Sequence, residues 1–119
     1  MSSRPEEMRD RTKAFALRII RLFRSLPYRT DAQVLGKQLL RCGTAVAANY
    51  RAACRARSKT EFVARIAIVA EEADESVLWL ELLIESGILK TEMTVGLLNE
   101  AKELAAILTA SRETAKKAA

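Results

Sequence analysis

Between Gly43 and Phe62 the chain turns a corner: a long segment of helical period ends in Arg51, Arg55 and Arg57, and Ser58-Lys59-Thr60-Glu61 opens the next. A Ser followed three positions on by Glu is a capping box, in which hydroxyl and carboxylate satisfy the backbone N–H groups that a new helix leaves unpaired. Two long helices joined by so short a connection are expected to lie antiparallel, each burying its apolar face against the other. Any fold for this chain has to contain that hairpin.

The same punctuation predicts two more helices. The first runs over about 6–25, stops before Pro27, and carries Met8, Phe15, Ile19, Leu22, Phe23 and Leu26 at helical spacing. The second covers about 31–56 after Thr30-Asp31-Ala32-Gln33, read as another capping box, with a seam of Leu35, Leu39, Cys42, Val46, Asn49 and Ala53. Asn49 is the polar member of that seam and is expected to be buried and hydrogen-bonded, since an apolar site penalises an unpaired amide.

The third helix, about 59–86, carries Phe62, Ile66, Val69, Ala73, Leu80 and Leu83, with a second line through Val77 and Ile84, and ends at Gly87. The fourth, about 92–117, runs through Val95, Leu98, Ala101, Leu104, Ala105 and Leu108. The fold class is therefore all-α, an antiparallel up-down-up-down four-helix bundle forming one domain over 1–119. Only 4 Gly and 2 Pro in 119 residues leave too little turn material for an all-β chain.

No apolar run reaches the length of a membrane span, and Met1-Ser2-Ser3-Arg4-Pro5-Glu6-Glu7 holds no apolar leader core, so a cytoplasmic protein is expected. Cys42 and Cys54 fall twelve positions apart on one helix, about 18 Å along its axis, beyond the reach of a disulfide within the chain.

Charge is lopsided. Residues 1–59 hold 14 Lys/Arg against 4 Asp/Glu, a balance of +10, whereas residues 60–119 hold 6 against 11, a balance of −5. Guanidinium groups fork onto phosphate oxygens and a basic field speeds association with nucleic acid. Arg11, Arg18, Arg21, Arg51, Arg55, Arg57 and Lys59 are the candidate nucleic-acid contacts, Arg51 and Arg55 pointing the same way one turn apart. The competing reading is a structural or protein-binding module in which these arginines pair with acids of the third helix or of a neighbouring subunit.

Glu71, Glu72, Asp74 and Glu75 cluster on the third helix, but the di-iron bundles that use such carboxylates also need Glu-x-x-His pairs, and the chain has no histidine. Ion pairing of this cluster with Arg51, Arg55 or the first helix is expected, and no metal or cofactor. Without histidine or a glycine-rich phosphate loop, neither an activated nucleophile nor a nucleotide cradle is visible, so a non-enzymatic protein is expected. Leu17 and Ile20 lie on the back of the first helix, and Tyr50 and Trp79 add large amphipathic side chains; these four, with Asn49, are the candidate structural and interface residues.

The stretches Leu39-Leu40-Arg41-Cys42-Gly43-Thr44-Ala45-Val46-Ala47-Ala48-Asn49-Tyr50, Arg57-Ser58-Lys59-Thr60-Glu61-Phe62, Glu72-Ala73-Asp74-Glu75 and Trp79-Leu80-Glu81-Leu82-Leu83 resemble a bacterial four-helix-bundle family. That family was first noted as proteins encoded within intervening sequences of 23S ribosomal RNA genes, and the accessory variability protein of diversity-generating retroelements is similar to it. The resemblance, over about residues 10–110, implies a homopentamer of antiparallel bundles with a basic surface. In the retroelement member such a surface engages nucleic acid and a reverse transcriptase. Where the family pattern follows the asparagine with a hydrophobic residue, a small one and Glu-Gly, this chain reads Tyr50-Arg51-Ala52-Ala53, which makes the position more basic.

Overall fold

A computed structural model of the chain describes residues 5–118. The ends of the predicted domain, 1–4 and 119, lie outside the described residues, and with them the first part of the segment read as lacking a leader core. Four helices account for nearly all the rest: α1 (Pro5–Arg24), α2 (Thr30–Cys54), α3 (Lys59–Glu85) and α4 (Thr91–Ala118). Each boundary falls within two residues of the position expected from caps and periodicity.

α2 packs closely on α1 and on α3, α3 packs closely on α4, and α1 meets α4 only sparsely; the diagonal pairs do not touch. This is an antiparallel four-helix bundle measuring 45 × 24 × 20 Å. Its core is mainly aliphatic, with Ile19, Leu39, Val46, Ile66, Val69, Leu80, Leu83, Leu104 and Leu108 fully buried alongside the aromatic Phe15. Three buried hydroxyls sit among them and are satisfied locally, Thr12 donating to the Arg9 carbonyl, Ser76 to that of Glu72 and Thr94 to that of Lys90. Among the described residues no helix is long and apolar enough to cross a membrane.

Three details correct the sequence reading. The buried face of α2 holds Leu39, Cys42, Val46 and Ala53 of the expected seam, but it also takes in Ala32, Gly36, Gly43 and Tyr50, while Leu35 and Asn49 lie half-buried at its edge. Gly36 and Gly43 widen the face toward α1: a Cβ on Gly43 would lie 2.9 Å from Ile19 Cγ1, and one on Gly36 would run into Leu26 and Phe23. Both glycines let α1 approach the α2 backbone closely. Asn49 is half-buried, and its amide donates to the Ala45 carbonyl one turn back in its own helix. In α4 the expected Ala101, Leu104 and Leu108 are buried and Leu98 and Ala105 half-buried, but Thr94 and Leu97 join the core in place of Val95, which is 44% exposed.

The expected capping box at Thr30 does not form. Arg29 is the N-cap of α2 with no side-chain cap bond, Asp31 instead accepts from the Ala32 N–H at 2.8 Å, and Gln33 reaches back to the Pro27 carbonyl. Asp31 also pairs with Arg29, whose guanidinium, more than the Ala32 N–H, holds its carboxyl below the usual range. The box at Ser58 does form: Ser58 Oγ accepts from the Glu61 N–H at 3.1 Å, while Glu61 accepts from the Arg57 N–H, one residue outside the cap. Gly87, at φ 87°, closes α3 in the left-handed region that a side chain disfavours.

Candidate nucleic-acid interface

The α2–α3 corner places the C-terminal turn of α2, which bears Arg51 and Arg55, beside the capped N-terminus of α3. A groove of about 520 Å³ opens there, lined by Ala48, Arg51, Ala52, Arg55, Arg57, Glu61 and Arg65. A second groove of about 430 Å³ adjoins it across the α1–α2 seam, lined by Arg9, Lys13, Thr44, Ala47, Ala48 and Arg51. Ala48 and Arg51 belong to both. The two form one surface with a floor of small side chains and a rim of Arg9, Lys13, Arg51, Arg55, Arg57 and Arg65.

One carboxylate, Glu61, lies on that surface, and it is already engaged. It pairs with Arg65 at 3.7 Å and accepts from the Arg57 N–H at 3.2 Å. Among the described residues no carboxylate pairs with Arg9, Lys13, Arg51, Arg55 or the Arg57 guanidinium. The floor of Thr44, Ala47, Ala48 and Ala52 keeps no long side chain between the cations and a backbone laid across them.

The predicted cations divide into three groups. Arg51, Arg55 and Arg57 come together as expected. Arg11 does not join them: it donates from Nε to Glu100 at 2.8 Å and from Nη2 to Glu100 at 2.9 Å, and pairs also with Glu103, tying α1 to α4. The Glu100 bonds, followed by those to Glu103, raise the proton affinity of a guanidinium that is already committed within the fold. Arg18 and Arg21 line a different groove, of about 270 Å³, between α1 and α4 at the opposite end of the bundle, with Leu22, Lys90 and Met93. Lys59 is exposed and donates to the Ala118 carbonyl at 3.3 Å.

Arg9, Lys13 and Arg65 were not among the predicted contacts. Arg9 and Lys13 stand one turn apart on the α1 flank that faces α2, a spacing visible in sequence; which flank faces α2 is decided by the bundle register.

The acidic cluster finds another partner. Arg41 pairs with Glu72 at 3.3 Å and with Glu75 at 3.0 Å, in place of the expected Arg51 or Arg55, and Glu71 stands exposed. Arg51 and Arg55 lie nearer the α2 terminus, past the turn that faces the cluster. The Cys42 thiol comes within 4.8 Å of the Glu72 and Glu75 carboxylates. Burial pushes this thiol up, against the opposing Ser76 hydroxyl bond, and Arg41 holds the carboxylates, so the group is built as an ion pair beside a protonated thiol.

Tyr50 and Trp79 both contribute to the packing of the bundle. Tyr50 is 9% exposed and sits in the core cluster, its phenol pushed up to about 12 by burial and then by Cys54. Trp79 is half-buried and packs against the same core. Leu17 stays exposed at 42% and Ile20 half-buried, as expected for the back of α1.

The profile of the family described as 23S rRNA-intervening sequence protein matches residues 6–110. The chain belongs to this family. Among solved structures it is similar to a protein with unknown function from the S23 ribosomal protein family from Bacteroides thetaiotaomicron VPI-5482. The TM-score is 0.84 at 32% identity, covering 92% of this chain and 97% of that one. No curated protein matches the chain. The shared bundle extends over nearly the full length of the crystallised relative, so the family membership and the four-helix architecture support each other.

Proposed function

We propose that this protein binds RNA or DNA through phosphate groups, without catalysis, at the surface where α1, α2 and α3 meet. One observation carries the reading: six cations surround a floor of small residues, and the single carboxylate among them is engaged. Cations held close together without counter-charges repel one another, and a polyanion relieves that repulsion while releasing its own condensed ions. Binding here is indifferent to base sequence. Among the described residues the exposed aromatic side chain is Tyr28, at the opposite end of the bundle, so no exposed aromatic ring stands beside the cations for bases to stack on. The family's name places its members with intervening sequences of 23S ribosomal RNA, which supports an accessory role on structured RNA.

The test is fluorescence anisotropy of a labelled duplex of about 20 base pairs, titrated over salt. With most of the six cations each neutralising a phosphate, log K should fall with log salt at a slope of about −4 to −5, roughly 250- to 1,000-fold between about 50 and 200 mM. Arg51→Ala with Arg55→Ala should flatten the slope by about 1.8. Absence of binding by the unaltered protein at low salt, or an unchanged slope in the double variant, would overturn the proposal.

A further inference from the structure

α1 and α4 meet only sparsely, and near the end of α1 the gap between them is a groove of about 270 Å³ with two unlike parts. One part is apolar: Leu22 comes from α1, Leu89 from the α3–α4 turn and Leu97 from α4, with Met93 at the lip, 79% exposed. The other is charged with one sign. Arg18, Arg21 and Lys90 line the groove, no carboxylate does, and none of the three has an ion pair among the described residues.

The fold holds these groups in place without a ligand. The Leu89 N–H donates to the Leu83 carbonyl at 2.9 Å, which ties down the turn after Gly87 and so positions Leu89 and Lys90. Gly96 leaves room on α4 for the Arg18 guanidinium, whose Nη2 lies 3.5 Å from where a Cβ would stand. The two hydroxyls in the groove are already spent as donors, Ser25 on the Leu22 carbonyl and Thr94 on that of Lys90. The side-chain donors left for a ligand are the three cations. Lys90 also stands just before α4, whose N-terminal end is itself partly positive, and Glu92 of that first turn does not line the groove. An anion is the missing partner.

We propose that this groove binds a single-chain anionic amphiphile. A carboxylate or phosphate head is held by Arg18, Arg21 and Lys90, and a short aliphatic chain lies against Leu22, Leu89 and Leu97. A nucleic-acid backbone would leave the leucines wet, and a neutral apolar molecule would leave the cations unanswered. At about 30 Å³ for a unit the size of a water molecule, the groove has room for about nine such units, which is close to the size of octanoate. The ligand is a free molecule and not a bilayer lipid, because that volume has no place for a second acyl chain. No residue of this groove belongs to the proposed phosphate surface, so its failure and the failure of that reading are separate results.

Heteronuclear NMR of the full chain, titrated with octanoate, hexanoate and octan-1-ol below their aggregation limits, tests the site. Octanoate should shift amides within 18–25 and 89–97 and bind at least about tenfold more tightly than hexanoate, since each buried methylene contributes about fourfold. Octan-1-ol, which has the chain without the charge, should bind at least about tenfold more weakly than octanoate. Arg21→Gln with Lys90→Gln, both at exposed positions, should weaken octanoate at least about tenfold and keep its advantage over hexanoate, while the salt slope for duplex binding stays unchanged. Phosphatidylglycerol vesicles should not carry the protein down on sedimentation. Absence of octanoate shifts in this groove, equal affinity for the two carboxylates, undiminished binding by the double variant, or sedimentation with the vesicles would overturn the proposal.

Discussion

Gly43→Ala should show how tightly the α1–α2 seam is set. In a helix interior alanine is favoured over glycine by about 1 kcal/mol, so in open space the change would stabilise the protein. At Gly43 the new methyl would lie 2.9 Å from Ile19 Cγ1, 3.1 Å from Cγ2 and 3.3 Å from Cβ, whereas carbon atoms rest at about 3.5–4.0 Å. Ile19 is fully buried and β-branched, so it has no free rotamer to yield, and α1 itself must move by a few tenths of an ångström. Overpacking of this kind costs about 1–3 kcal/mol. Gly96→Ala is the matched control: it lies in α4, is exposed, and its Cβ would make an ordinary 3.5 Å contact with Arg18. Propensity cancels between the two variants. Urea denaturation at fixed protein concentration should find Gly43→Ala less stable than Gly96→Ala by about 1–3 kcal/mol, with Gly96→Ala itself up to about 1 kcal/mol above the unaltered chain. Adding Ile19→Ala to Gly43→Ala should cost less than the two single changes together, since the clashing carbons are gone. Equal stability of Gly43→Ala and Gly96→Ala would refute the close approach on which the α2 register rests.

Arg11→Ala should separate a structural arginine from a ligand-facing one: the salt slope of nucleic-acid binding stays unchanged, while urea denaturation shows a loss of about 1 kcal/mol from the partly exposed bonds to Glu100 and Glu103. Ser58→Ala removes the acceptor for the Glu61 N–H and should lower the thermal midpoint by the equivalent of about 1 kcal/mol, with Ser58→Asp retaining most of it.

Helix positions were legible because this chain marks its ends with strong local chemistry. Pro27 lies just past α1, Ser58 and Glu61 cap α3, and Gly87 closes it, each acting within a few residues. The full width of the buried α2 face was not legible: Leu39, Cys42, Val46 and Ala53 were, but Gly36 and Gly43, where α1 approaches, have no side chain to register as hydrophobic. A seam read from apolar residues alone therefore passed through Asn49 and missed its neighbour Tyr50. Charge partners were harder again. Arg11, Arg18, Arg21 and Arg51 look alike along the sequence, yet one meets Glu100, two lie in an α1–α4 groove and one reaches an uncompensated rim. What separates them is which helix flank faces which neighbour, a property of the assembled bundle.

α1 is held on one side only. It lies tightly in α2 through the two glycines, but across its other edge it meets α4 sparsely, with Arg11 as a polar bridge between them. The remaining three helices keep their mutual contacts whether or not α1 is in place, so α1 is the element expected to detach first as a cooperative unit, below the free energy of global unfolding. Detachment would remove Arg9 and Lys13 from the cationic rim. A polyanion lying across the α1 flank would raise the protection of its amides against exchange, so binding would be read out in the order of a single helix.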